Sequence, residues 1–309
     1  MIVAKCPLRV SLAGGSTDLQ DFIDQNGYGA VISFPSTLYT YISLHENNRG
    51  KYIIDYTQRE EVTNPSEIKN DIAREVLKEY SLPPVTITFN TDAHSSGSGL
   101  ASSSSYLIAL IKAVTVYKNI KISNYEICMK ALEIERRFNP LTGYQDPYGC
   151  GIGSLKLIEF YSDRRPSITY LDQDMFHDID MHLMFTGIKR GSTDVLKKTI
   201  KTDRSYLLKI LGTAHRAITK KDLQNFAESV KLGWEHKKKN TPHVIDSEEI
   251  KRIDHSLSVK EGVIAHRLCG AGAGGYFLIL SKRTLYDPLT LKNSIKIDMC
   301  QDGVTAVKI

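Results

Sequence analysis

The sequence predicts an α+β protein of two domains, each a mixed sheet with helices packed on one face. Strand-like and helix-like patterns follow one another along the chain without an internal repeat. A chain of 309 residues with 41% hydrophobic content can bury more than one small core. The polar stretch Ser162-Asp163-Arg164-Arg165-Pro166 separates two patterned regions, giving expected domains at 1–165 and 166–309.

Residues 2–13 and 28–45 carry the β-branched and aromatic content of strands, and 84–91 alternates cleanly. Asn64-Pro65-Ser66 opens an amphipathic helix over 66–80. Helices follow at about 101–118 and 123–138, and a strand near 153–161 closes the first region. Beyond the boundary the pattern gives a strand at 182–186, then helices over 193–200, 204–216, 222–239 and 247–258. Strand, helix and strand complete it at 275–281, 284–294 and 303–309.

Forty basic and 35 acidic residues give a net charge of +5, spread along the chain. That balance predicts no nucleic-acid surface, although it helps to attract anionic substrates. The five cysteines are scattered with no C-x-x-C pair, so neither a zinc site nor a disulfide framework is expected. No run approaches the ~20 apolar residues of a membrane span, and the first residues read as a strand rather than a signal peptide. The expectation is a soluble cytoplasmic enzyme with reduced thiols. Oligomeric state is left open, a homodimer among the options.

The segment from His94 to Ser105 is rich in Gly and Ser and holds no acid. It lies between the strand at 84–91 and a strongly apolar helix. Glycine lets backbone approach an anion, the helix N-terminus offers free N–H groups, and a serine hydroxyl can ligate Mg²⁺. The alternatives are a flexible linker or a plain serine N-cap. The Walker pattern is absent.

On the helix at 123–138, Glu126, Lys130, Glu133 and Arg137 form a charged stripe opposite Ile127, Ala131, Ile134 and Phe138. Glu135 falls on the apolar side, three after Leu132 and four after Ala131. A carboxylate there is paired, bound to a metal, or at a helix end open to solvent. Eleven residues later, Asp146 stands in Thr142-Gly143-Tyr144-Gln145-Asp146-Pro147, a tight turn that pins the acid. An ordinary turn or N-cap aspartate is the alternative. Ala13-Gly14-Gly15-Ser16-Thr17-Asp18 follows the strand bearing Arg9; Asp18 can accept hydrogen bonds from vicinal hydroxyls, or it or Ser16 caps a helix over 17–25. Gly270, Gly272 and Gly275 formally spell G-x-G-x-x-G, but a strand follows them, so a dinucleotide fold is excluded.

Taken in order, Pro7-Leu-Arg9 through Asp18, Gly97-Ser-Gly-Leu-Ala-Ser-Ser103, Gly143-Tyr-Gln-Asp146 and Leu268-Cys-Gly-Ala-Gly-Ala-Gly-Gly275 resemble the GHMP kinase superfamily. Its members phosphorylate galactose, homoserine, mevalonate and related small molecules. The Gly-Gly-x-Thr-Asp version, with Thr186-Gly-x-x-Arg190, looks most like the D-glycero-D-manno-heptose 7-phosphate kinases, which serve surface polysaccharide synthesis. The resemblance implies an N-terminal domain like ribosomal protein S5 domain 2, a ferredoxin-like C-terminal domain, and transfer of phosphate from ATP with Mg²⁺. It implies that Gly97, Ser98, Gly99, Leu100, Ala101, Ser102, Ser103 and Ser104 wrap the ATP phosphates. Ser103 and Glu135 would ligate Mg²⁺. Asp146 would act on the acceptor hydroxyl, with Arg9 neutralising charge. Gly14, Gly15, Ser16, Thr17, Asp18, Gly143, Gln145, Arg190 and Gly272 would border the substrate. Lys189, Arg190 and the Lys237–Lys239 run are the basic candidates for a substrate phosphate. A kinase for a fucose- or arabinose-like sugar, or a non-catalytic sugar or nucleotide sensor, are the alternatives.

Overall fold

The computed structural model describes residues 1–94, 97–189, 195, 197, 203–283 and 293–309. Its larger sheet is built on β1 (Ile2–Ala13) and β2 (Tyr28–Glu46), antiparallel from Ile2↔Leu44 to Ala13↔Ile32. β2 is long enough to serve two further neighbours. Its first part pairs with β6 (Lys156–Tyr161) and its second with β5 (Val85–Thr91). β5 takes β3 (Tyr52–Asp55) in parallel, β3 takes β4 (Arg59–Val62), and β6 takes β7 (Ser167–Tyr170). β12 (Thr305–Lys308) returns to pair with the other edge of β1.

A bulge decides which way β1 faces. Ile2, Ala4 and Cys6 belong to one core, and Leu8, Val10 and Leu12 to another. The β1–β2 register shifts between Pro7 and Arg9, two residues of β1 standing against four of β2, and the change of core falls at this irregularity. Arg9 consequently lands on the side where Cys6 pointed. On that side lies α3 (Ser102–Tyr117), flanked by α2 (Asp71–Tyr80), α4 (Asn124–Phe138) and α5 (Gln145–Gly151). α3 buries Leu107, Ile108, Leu110, Ile111 and Val114, so it is apolar nearly all round, as a helix enclosed on every side must be.

The second sheet runs β11 (Ser294–Ile297), β8 (Ile179–Phe185), β10 (Tyr276–Lys282), β9 (Val263–Leu268), antiparallel throughout. The helices α6 (Ser205–Thr219) and α7 (Leu223–Asn240) pack on each other, and α7 and α8 (Glu248–Ser258) lie against β9. Leu211, Phe226 and Leu278 share a core with Leu8, Val10, Leu12 and Phe34 of the first sheet.

The mixed α+β architecture is as expected, with local corrections. The segment 142–149, read as a turn, contains the start of helix α5. The helix expected from 66 starts only at Asp71, under an N-cap from Asn70; Pro65–Glu67 is a separate 3₁₀ turn whose first N–H bonds go to Asn64. The short helix α1 spans Gln20–Asn26 rather than 17–25, and neither Ser16 nor Asp18 is its N-cap. β3, β4, β7, β9 and β11 add strands where none was expected. The expected boundary after residue 165 falls between β6 and β7, which pair with each other. The helices expected at 193–200 and 284–294 lie mostly outside the described residues, and Ser294 opens β11 instead.

The two glycine-rich segments interlock. Tyr276 N–H donates to the Ser98 carbonyl at 3.1 Å, and Thr186 holds the Gly275 carbonyl through both its N–H and its hydroxyl at 2.9 Å. A Cβ on Gly275, whose φ is +88°, would stand 2.3 Å from the Ser98 oxygen. One on Gly99 would stand 2.6 Å from the Cys269 oxygen. Only glycine fits these crossings. Gly275→Ala is therefore expected to lower the Tm by several degrees in a thermal melt; an unchanged Tm would mean that the loops part without cost.

Candidate active site

The serines of the phosphate-loop segment have separate tasks. Ala101 occupies the N-cap of α3 in the left-handed region, φ +61°, with no side-chain cap. The plain serine cap is thus not what the structure has, and the first N–H groups of a long buried helix are left for another acceptor. Ser98 and Ser102 bond each other at 2.9 Å. Ser105 donates to the Cys6 carbonyl at 2.9 Å and meets Thr40, which anchors the helix on β1 and β2. Ser104 donates to Glu135 Oε2 at 2.5 Å, while Ser103 is exposed on the cavity wall.

Glu135 is buried on α4, as its place on the apolar stripe foretold, and a hydroxyl is its hydrogen-bond partner. Burial raises its carboxyl pKa to about 7, with the Ser104 hydroxyl opposing and Asp146 adding to the rise. A carboxylate held this way has unmet demand for a cation, so the residues fit a divalent metal. Mg²⁺ takes one or two protein carboxylates together with substrate phosphates.

Asp146 stands at the start of α5 and lines the cavity. Arg9 donates to its Oδ1 twice, from Nε at 2.9 Å and from the terminal nitrogen at 2.6 Å. The remaining Arg9 nitrogen donates to the Gly99 carbonyl at 2.6 Å. Oδ2 of Asp146 makes no hydrogen bond among the described residues. The helix is held at its other end by Lys156, whose buried ammonium donates to the carbonyls of Ile152 at 2.6 Å and Ser154 at 3.1 Å. Burial lowers that lysine to about 7. Gly149 and Gly151 are needed for the helix to lie so close: a Cβ at 151 would stand 2.3 Å from Cys128 Sγ.

Asp18 is wholly buried and receives N–H groups from Ser16 at 3.1 Å and from Gln145 through both backbone and side chain, at 3.1 and 2.9 Å. Burial, reinforced by Asp146, lifts its pKa to about 6. Its bonds tie the β1–α1 turn to the start of α5, against the alternative of an ordinary helix cap.

One cavity gathers Arg9, Gly14, Gly15, Ser16, Asp18, Gly97, Ser98, Gly99, Ala101, Ser102, Ser103, Ser104, Glu135, Gly143, Gln145 and Asp146. Three expected residues stand behind its wall. Thr17 bonds the Gly14 and Ala30 carbonyls, Leu100 is core, and Gly272 packs against Val244. Arg190 lies outside the described residues. Lys189 is exposed, Lys238 is tied to Glu235 and Asp254, and Lys239 is exposed; of that run, Lys237 reaches the cavity and the Gly270 carbonyl. Arg204, His236, Asn240 and Arg267 also line it, and sequence reasoning had not singled them out.

Residues 67–154 match the GHMP kinases N terminal domain. That stretch of the chain is similar to the N-terminal domain of the GHMP kinases. A D-glycero-alpha-D-manno-heptose 7-phosphate kinase of Campylobacter jejuni is 29% identical over 96% of this chain and 92% of its own. A galactokinase of Thermotoga petrophila is 21% identical over 90% of this chain and 89% of its own. Among solved structures, a D-glycero-D-manno-heptose 1-phosphate kinase from Bacteroides thetaiotaomicron superposes with a TM-score of 0.77 at 23% identity, covering 100% of this chain and 99% of its own. That likeness shows that the whole chain shares the fold of that structure. The match also spans the phosphate-loop segment, Glu135 and Asp146.

Because the folded state holds Glu135 at about 7 against the ordinary 4.5 of a glutamate, it binds more protons than the unfolded chain between those values. Stability of the metal-free protein is then expected to fall as pH rises from about 4.5 to 7, the group acting opposite to an ordinary salt-bridged acid. Glu135→Gln should remove that part of the slope and raise the metal-free Tm by a few degrees at pH 7.5 while lowering activity. A Tm that drops instead would show that the carboxylate is already satisfied.

Proposed function

We propose that the protein is an ATP-dependent sugar kinase that phosphorylates the anomeric hydroxyl of D-glycero-D-manno-heptose 7-phosphate, giving the 1,7-bisphosphate for nucleotide-activated heptose. The observation that carries the reading is Asp146, with Oδ1 fixed by Arg9 and Oδ2 open beside the uncapped start of α3. The heptose assignment is supported by the nearly full-length similarity to the Campylobacter jejuni enzyme.

Phosphoryl transfer requires in-line positioning and charge neutralisation more than covalent help from the protein. The free N–H groups at the start of α3 and the Ser103 hydroxyl hold the triphosphate. Ser103, Ser104 and Glu135 would hold Mg²⁺, which when bound neutralises phosphate charge. Asp18, Gln145 and the Gly14–Ser16 turn line the part of the cavity given to sugar hydroxyls. Asp146 Oδ2 orients the acceptor hydroxyl and takes its proton as the oxygen bonds to the γ-phosphorus. Arg9 keeps the carboxylate aimed and charged. No helix among the described residues is long and apolar enough to cross a membrane, which agrees with the cytoplasmic placement proposed here.

The test is a coupled ADP-release assay with Mg-ATP against a panel of sugars and sugar phosphates, with phosphorus NMR of the product. Turnover on the heptose 7-phosphate with a new anomeric phosphate is expected. A product on galactose or fucose alone would reassign the substrate, and silence across the panel would remove the kinase reading. Asp146→Asn should keep its Tm within a few degrees and lose about 10²–10⁴-fold in kcat; near wild-type turnover would exclude Asp146 from the proton transfer.

A further inference from the structure

Three cations surround Cys269, where the second glycine loop meets the first: Arg267, Arg9 and Lys237. Two of them have clear partners. Arg9 is answered by Asp146, and Lys237 donates to the Gly270 carbonyl. Arg267 is different. It is 7% exposed, on β9 opposite Leu278, with one terminal nitrogen donating to the Leu12 carbonyl at 2.9 Å. Its Nε has no hydrogen-bond partner, and no carboxylate pairs with it among the described residues. Its titratable neighbours are Cys269 and a second cation, Arg9.

A guanidinium remains charged even when burial opposes it, and a buried charge without a counter-charge is unfavourable unless an anion arrives. The cavity that Arg267 lines is bounded by the phosphate-loop segment on one side and Asp146 on another. Arg9 touches both, through Gly99 and Asp146, and Arg267 lines the same cavity within electrostatic reach of Arg9. We infer that Arg267 is the cation that meets the phosphoryl group in transit between ATP and the acceptor. The inference rests on the kinase reading above.

In that step the acceptor oxygen bonds to the γ-phosphorus as its proton passes to Asp146. The bond from that phosphorus to the bridging oxygen breaks, and its electron pair leaves with ADP. Arg267 gains no bond and gives up no proton. Its free N–H groups face the equatorial oxygens of the moving group, where negative charge is spread. Two other roles compete. Arg267 as a strut from β9 to β1 needs only the Leu12 bond. Arg267 as reader of a phosphate already on the sugar belongs at a far end of the substrate, whereas its neighbour Arg9 is bonded to the transferring machinery.

The test uses Arg267→Gln and Arg267→Ala in the full chain. Glutamine keeps a donor for Leu12 and removes the charge; alanine leaves space for free guanidinium. Expected for Arg267→Gln is a fall in kcat of about 10²–10³-fold with KM for ATP and sugar within about threefold. Part of the loss in Arg267→Ala should return on adding guanidinium at tens of millimolar. Wild-type kcat in the glutamine variant would overturn the inference in favour of the strut. A raised KM for the phosphorylated sugar at unchanged kcat would overturn it in favour of the sugar's own phosphate. Binding of ADP with aluminium fluoride, a mimic of the group in transit, is measured alongside because it needs no acceptor. At least tenfold weaker binding by Arg267→Gln, with ADP binding kept, supports the inference even if wild type turns over no sugar, an outcome that would remove the kinase reading alone. Equal binding would overturn it.

Discussion

One guanidinium joins the parts that a phosphoryl transfer must bring together. Arg9 belongs to β1, holds the phosphate-loop segment through Gly99 and fixes Asp146 on α5. Those three elements are far apart in sequence, and each would place its group loosely alone. That Arg9 faces them at all depends on the irregularity after Pro7; with alternation unbroken from Cys6 it would point to the other face of the sheet. The strand irregularity and the site are therefore one feature. Removing either arginine or bulge leaves Asp146 on a helix end with nothing to aim it.

Around that junction, ionisable groups are held away from their ordinary states. Glu135 and Asp18 are buried acids, and Lys156 is a buried amine. All three are hydrogen-bonded, Glu135 by Ser104. Asp18 ties the turn before α1 to α5, and Lys156 gathers the carbonyls at the end of the same helix. α5 is only seven residues long, too short to be stable on its own propensity. It is held in shape from its two ends and by glycines that let it lie against α4 and β1.

Much of this was legible in the sequence, for reasons that name its limits. The helical stripe of α4 exposed Glu135 as an acid on the wrong face, because a period of 3.6 is a local property. The apolar α3, the long β1 and β2, and the order of the glycine segments were readable for the same reason. α5 was not: Gln145-Asp-Pro-Tyr-Gly-Cys-Gly151 has the residues of a turn, and only tertiary contact makes it helical. β4 reads Arg-Glu-Glu-Val and shows no pattern of a buried strand, while the apolar run of β3, Tyr-Ile-Ile, is too short to show a period. Arg204 and Arg267 went unnoticed because their place on the cavity comes from segments distant in sequence meeting in space, a property that no spacing records.

The pairing of β12 with β1 has a consequence for biosynthesis. β1 is made well before the residues that close its outer edge, Thr305–Lys308, because almost all of the described fold lies between them in the chain. Until then an early, apolar strand presents unpaired backbone to its surroundings, the kind of edge that recruits strands from other chains. Lys5 stands on that edge, and its charge discourages a second strand from adding. The exposure ends only when residues 305–308 have been made and dock, so the order of synthesis leaves this edge among the last parts of the sheet to be covered.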